Sequence, residues 1–389
     1  MFLWLGEVAS ELGTRTATIA YPLLVLSLTG SPAAAGALGF ARTVPWFLFA
    51  LPAGAVVDRV NRKAVMLVSD AAACIAMLSV GAALAAGRLS LAHLFAAVLV
   101  EGTAFIFLHV AYTSSLKQLV PVEQLPDAVA YTSARESAAT LAGPPIGGLL
   151  YGFARSLPFF ANAVSYLVSF ASVLLIRKPF QETRAERSAS LAGEIREGLR
   201  WLWHQPFLRT SLLLVGGANF FSNAVVFTLI IVARERGASA GLIGAMLATI
   251  AAGGLLGALA APRLRHWIGG RTIVVGFNWV GVAIIVPLVI ASHPLALGAI
   301  AAVIAFFGPT WNAVVDGYRI SIVPDHLQGR VSSVDNLMAF SAIPLAPLVA
   351  GLLLEATSGD VTLIALGAVM LTLAVVGTVS RSLRVPLPA

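Results

Sequence analysis

At 389 residues, 58% hydrophobic, 11% charged and with a mean hydropathy of +0.89, the chain lies far from the roughly 45–50% apolar and 25% charged make-up of soluble domains, so its surface cannot face water. The formal charge of +7 comes from basic residues scattered over short loops with no aromatic platform between them, which excludes a nucleic-acid-binding surface. A single cysteine, Cys74, placed in an apolar run, leaves no disulfide framework, thiolate metal site or redox pair.

A bilayer core takes about 20 apolar residues per helix. Twelve runs of that kind predict helices over 2–28, 34–57, 64–86, 90–113, 129–152, 158–176, 208–233, 239–262, 272–291, 294–317, 330–354 and 361–380. The expected fold is all-α and integral to the membrane, with twelve transmembrane helices in two pseudosymmetric six-helix bundles. The bundles are 1–176 and 208–389, joined by a linker over 177–207. The first run begins almost at once, without a basic leader or a small-residue cleavage site, and reads as a retained helix rather than a signal peptide. In the linker, EIREGLRWLWHQP sets Ile195, Leu199 and Leu202 at helical spacing, an interfacial amphipathic helix with Trp201 and Trp203 near the headgroups. Loop parity puts 18 of the 25 Lys and Arg on the side of the N-terminus, 4 opposite (Arg88, Arg155, Arg234, Arg236) and 3 inside helices (Arg15, Arg42, Arg135). That bias places both termini and the linker in the cytoplasm of a multi-pass cell-membrane protein.

Ionisable residues inside a bilayer cost about 2.5–3.5 kcal/mol each at a helix centre, so they mark candidate sites. On helix 1, Glu7, Glu11 and Arg15 fall at i, i+4 and i+8, an arc of about 80° that should face a cavity. Glu11 and Arg15 are also spaced to neutralise each other. Glu101, well inside helix 4, should lie near the midplane, either holding a proton or paired with Arg42 of helix 2. With no basic neighbour on its own helix, it is the better proton carrier of the two acids. His109 reads as a satisfied polar residue. In the second half, Asn219 and Asn223 share a face of helix 7 beside Phe220 and Phe227, and Phe306, Phe307, Trp311 and Asn312 mark helix 10. Such aromatic clusters hold amphiphiles with few hydrogen bonds, and equally pack helices. The histidines His93, His293 and His326 form no metal spacing and no GxxxxGK loop is present, so neither metal, cofactor nor ATP is expected.

Between helices 2 and 3, GAVVDRVNRK holds Gly54, Asp58, Arg59, Arg62 and Lys63. Here glycine is expected to let two helices approach, the acid to sit just beyond a helix end and the bases to stay in cytoplasmic water. Helix 5 carries ESAATLAGPPIGG with Gly143, Pro144, Gly147 and Gly148, in which proline bends the helix and small residues permit close contact. These two stretches resemble signatures of the major facilitator superfamily, the second that of its antiporters. LWLGEVASELG, LTGSP, VPVEQLPDAVAYTS, EGLRWLWHQPFLR and VPDHLQGRVSS look like its drug and siderophore exporter branch, with macrolide-efflux-like and enterobactin-exporter-like proteins. The resemblance covers nearly the whole chain. It departs at Thr14, where an aspartate is common, at Glu101-Gly102, where helix 4 lacks the usual base, and at Ala139, which replaces a leading glycine. APRLRHWIGGR, over 261–271, keeps the bases of the charged turn after helix 8 and loses its acid.

The resemblance implies a monomeric exporter of an amphipathic, drug or siderophore-like small molecule, driven by proton antiport through alternating access in the lipid bilayer, with no catalysis. It also implies that Asp58 faces the start of helix 11, where Arg330 would complete a conformational latch and Asp335, one turn on, would compete for it. The rival readings are a lysophospholipid or lipid flippase, and a membrane-embedded non-transporting receptor or enzyme. For an enzyme, Asp316, Asp325 and His326 are a thin candidate set.

Overall fold

The computed structural model describes residues 2–120, 124–177, 180, 197, 199–324 and 327–384. The described residues hold no strand. Their helices are α1 Phe2–Thr29, α2 Pro32–Arg59, α3 Arg62–Ala85, α4 Leu91–Leu119, α5 Leu125–Phe153, α6 Leu157–Leu175, α7 Pro206–Glu235, α8 Ala240–Trp267, α9 Gly270–Ala283, α10 Ile285–Ile290, α11 Pro294–Ile322, α12 Gln328–Ser341, α13 Leu345–Ala356 and α14 Gly359–Val379. Starts follow local chemistry: Ser31, Asn61, Ser90 and Ser358 each accept a hydrogen bond from an N–H of the first turn. The α1–α2 turn needs Gly30, whose φ of 69° lies in the left-handed region.

Among the described residues, nine spans are long and apolar enough to cross a bilayer, or ten with α2, which bends by 59° between Phe49 and Pro52. The long helices α1 and α5 carry charge instead, Glu7, Glu11 and Arg15 on one, Arg135 and Glu136 on the other. With these included, the arrangement is compatible with twelve crossings. The chain is an all-α, multi-pass membrane protein.

The chain divides into two compact units, Met1–Ala185 with Ala233–Ala248, and Glu186–Val232 with Thr249–Ala389. In the first, α1 packs on α5 and α6, α3 on α4 and α6, and α2 on α4. The helices turn their polar faces inward. Helix α6 buries Asn162, Ser165, Tyr166, Ser169 and Ser172 while Val164, Leu167 and Leu174 lie outside; α3 buries Ser69 and Asp70 and exposes Val68 and Ile75. Lipid tails are as apolar as leucine, so helices associate through close packing and hydrogen bonds rather than through burial of apolar area. Close approach is visible at Gly6, where an added Cβ would stand 2.8 Å from Ser172 Cβ.

The helix-5 stretch makes the same kind of contact. Gly143 lies against Arg15 and Gly147 against the Thr16 carbonyl of α1, while Gly148 meets the Ala240 carbonyl and Gly244 meets Pro144, all within the first unit.

Two expectations for the charged turn are corrected. Gly54 makes no close approach, since a Cβ there would meet nothing within 4 Å. The bases do not all stay in water: Arg62 is 6% exposed, donating to the Ser114 carbonyl at 2.7 Å and to Asp58 at 3.3 Å. Lys63 donates to the Leu174 and Ile176 carbonyls at 2.9 and 2.6 Å. Lys63 thus closes the open carbonyls at the end of α6, and Arg62 ties the start of α3 to the last turns of α4.

In the linker, Ile195 lies outside the described residues. Positions 199–203 are helical, with Leu202 buried and the Arg209 guanidinium over the exposed Trp203 ring, 5.9 Å from its centroid. In the second unit α9 packs on α11 and α14, and Trp279 Nε1 donates to Thr378 Oγ1 at 3.0 Å.

Candidate functional site: paired charges inside the first unit

Glu101, 1% exposed on α4, is the centre of the densest polar cluster described. Tyr21 OH of α1 donates to Oε2 at 2.7 Å and Arg42 Nε of α2 to the same oxygen at 3.2 Å. Asn162 Nδ2 and Tyr166 OH of α6 reach Oε1 at 2.9 and 3.4 Å. Thr14, which stands where the resemblance led to an acid, lies 3.1 Å from the Tyr166 hydroxyl and so belongs to this network. The Arg42 guanidinium also covers the Tyr21 ring, 5.1 Å from its centroid. Of the two states open to Glu101 in the sequence, the structure has the pairing with Arg42. Its carboxylate thus meets a guanidinium and three further donors.

Two more pairs run along α1. Arg15 Nε donates to Glu11 at 2.8 Å, one turn away. Glu7 accepts from Arg135 Nη1 of α5 at 3.4 Å, and Arg135 reaches Glu136 at 3.8 Å and covers the Tyr112 ring. His109 of α4 stacks on Phe105, its ring centroid 6.1 Å away, and leans on Trp46 of α2 at 5.4 Å. His109 thus brings a polar imidazole into an aromatic patch with Trp46 and Phe105.

The candidates of the second unit are more dispersed. Asn219 Nδ2 donates to the Ala339 carbonyl at 2.8 Å, and Asn223 Nδ2 to the Asn219 carbonyl of its own helix at 2.9 Å. Phe306 and Phe307 meet edge to face at 5.2 Å. Trp311 is 3% exposed and stacks on Phe277 at 5.3 Å, whereas Asn312 is exposed. Asp335 is bound by Arg319 of α11, whose other Nη lies 3.0 Å from Asp316. At the charged turn, Arg59 is exposed; Asp58 is paired with Arg62 as above, and the Arg330 side chain lies outside the described residues, as do Asp325 and His326.

Sequence reasoning missed Asp70, Tyr21, Asn162, Tyr166 and Arg319, and gave Arg135 no partner. Asp70 was findable as an acid eight residues into an apolar helix, and Arg319 from its i+3 spacing to Asp316.

Helices with polar interiors, lipid-facing apolar sides and charges paired within the bilayer core define a polytopic membrane transport protein. The chain belongs to the transmembrane secretion effector family of the major facilitator superfamily, whose sequence profile matches residues 1–387. It is 27% identical over 400 residues to the multidrug efflux pump Tap of Mycolicibacterium fortuitum, covering 99% of this chain and 96% of that one. It is 28% identical over 376 residues to the multidrug efflux pump Tap of Mycobacterium tuberculosis H37Rv, covering 91% and 86%. Its fold matches a bacterial homologue of the human lysosomal transporter Spinster, in an inward-facing and unoccupied conformation, with a TM-score of 0.77 at 14% identity over 100% and 97% of the two chains. The chain is accordingly a multi-pass efflux transporter of the bacterial plasma membrane and not an enzyme.

Proposed function

We propose that this transporter exports amphipathic small molecules, of drug or siderophore-like chemistry, by alternating access coupled to proton antiport. The observation that carries the reading is the interior of the first unit, where fixed ion pairs stand beside the Trp46, Phe105 and His109 rings. Aromatic area next to a few charges suits a ligand with apolar bulk and one polar or charged end. The multidrug pumps among its relatives support the same substrate class. On this reading residues 1–176 and 208–389 are the two moving bundles, the protein works as a monomer, and Asp58 with Arg330 closes one side.

In an efflux-deficient bacterial host, expression is expected to lower accumulation of at least one member of a panel of dyes, macrolides and catechol siderophores, and a protonophore to abolish that effect. Protonophore-insensitive export would refute the antiport, and no effect on any compound would refute the substrate class.

Both termini are placed in the cytoplasm, since basic residues stand 18 against 4 on the two sides. A reporter fused after Arg187 or after Arg384 is therefore expected to read as cytoplasmic. Periplasmic phosphatase activity at either site would overturn the orientation.

A further inference from the structure

Of the acids buried in the first unit, Glu7 and Glu101 each have a guanidinium within 4 Å, and Asp70 has no basic partner among the described residues. Asp70 is 0% exposed and sits eight residues into α3, about 12 Å along the helix at 1.5 Å per residue. Ser169 Oγ of α6 donates to its Oδ2 at 2.8 Å. Its Oδ1 has no hydrogen-bond partner, and among the described residues the only other buried carboxylate oxygen in that position is Glu7 Oε1.

We propose that Asp70 is the residue that takes up and releases the coupling proton, in a hydroxyl-lined seam between α1, α3 and α6; the inference rests on the antiport reading above. As an anion, Asp70 holds a full charge out of water with one oxygen bare, which costs several kcal/mol. As an acid, it is neutral and its O–H needs a single acceptor. Binding one proton from water at Oδ1 and releasing it to water on the other side is then a switch between two states of different packing demand. Glu101 is the opposite case, because four donors already occupy its two oxygens.

The surroundings fit a site that changes charge. The titratable groups that feel the Asp70 charge are Glu7 from α1, Tyr166 from α6 and Cys74 one turn along α3. Of the groups on α4, Glu101 is committed to Arg42 and its other donors. Arg135 is taken up by Glu7 and Glu136. Gly6 closes α1 directly over Ser169 and Ser172, so three helices meet at this point and a charge appearing there bears on the packing of all three.

The test uses the full chain in proteoliposomes, with ethidium as the transported probe, an internal pH dye, and an imposed pH gradient. Wild type is expected to accumulate ethidium against its gradient and to move protons in exchange. Asp70→Asn, which mimics the neutral acid, is expected to lose gradient-driven accumulation while still equilibrating ethidium downhill, and Asp70→Glu is expected to restore coupling with a displaced pH midpoint. Full coupling in Asp70→Asn would overturn the assignment, as would an unmoved midpoint in Asp70→Glu should the asparagine variant not be recovered folded. Absence of proton exchange in wild type would instead sink the antiport reading itself, which separates the two failures.

Discussion

Glu101→Ala is expected to abolish transport and to destabilise the first unit by about 3–5 kcal/mol, the cost of stranding a buried charge by removing its partner. The stranded charge is Arg42, which keeps, among the described residues, only the Tyr21 ring once the carboxylate is gone, while Tyr21, Asn162 and Tyr166 lose their common acceptor. Adding Arg42→Leu to Glu101→Ala should recover much of the stability without recovering transport, because a buried ion pair is often replaceable by apolar side chains as far as folding is concerned. Thermal midpoints in detergent, read by size-exclusion profile after heating, give the first quantity and ethidium flux the second. A Glu101→Ala protein as stable as wild type would mean that the cluster does not form.

Arg319→Ala is expected to have a similar effect in the second unit. Its guanidinium holds Asp335 of α12 and Asp316 of its own helix, and its side chain and that of Asp335 are each 13% exposed. Removing the base leaves a largely buried carboxylate without a counter-ion among the described residues, again about 3–5 kcal/mol. Asp335→Asn on the Arg319→Ala background should return part of the loss, since the second change removes the charge that the first one stranded. Strict additivity of the two destabilisations would show that the residues are not paired.

The fold was legible because the bilayer sets one simple requirement, an apolar run of sufficient length, and the chain meets it repeatedly. The sites were legible only where charge interrupts such a run. Glu7, Glu11, Arg15, Arg42 and Glu101 stood out for that reason, and the Glu11–Arg15 pair followed from helical spacing alone. Which of them meet across helices was not legible, because Glu101 takes its donors from positions 21, 42, 162 and 166. Those contacts depend on the order in which helices pack, which no local period encodes. The tyrosines and Asn162 went unremarked since hydroxyls and amides interrupt apolar runs without the penalty that makes a charge conspicuous. The basic residues of the charged turn misled in the other direction, since Arg62 and Lys63 look solvated in a loop and instead bond backbone carbonyls of α4 and of the end of α6.

The pairing of α1 with α6 sets a schedule for biosynthesis. Thr14 and Tyr166 meet across 152 positions of chain, so at roughly 5–20 residues per second α1 waits on the order of ten to thirty seconds after it leaves the ribosome before its partner is made. Glu7 has no Arg135 until α5 is made, 128 positions on, and the hydroxyls of its inner face have no α6 throughout that interval, while Glu11 has Arg15 from the outset. Nascent α1 is therefore a helix that lipid alone accepts poorly, and it must be kept by the insertion machinery or shelter at the interface until the sixth helix arrives. Chains truncated before α6 should be cleared by membrane proteases even though every helix they contain is complete.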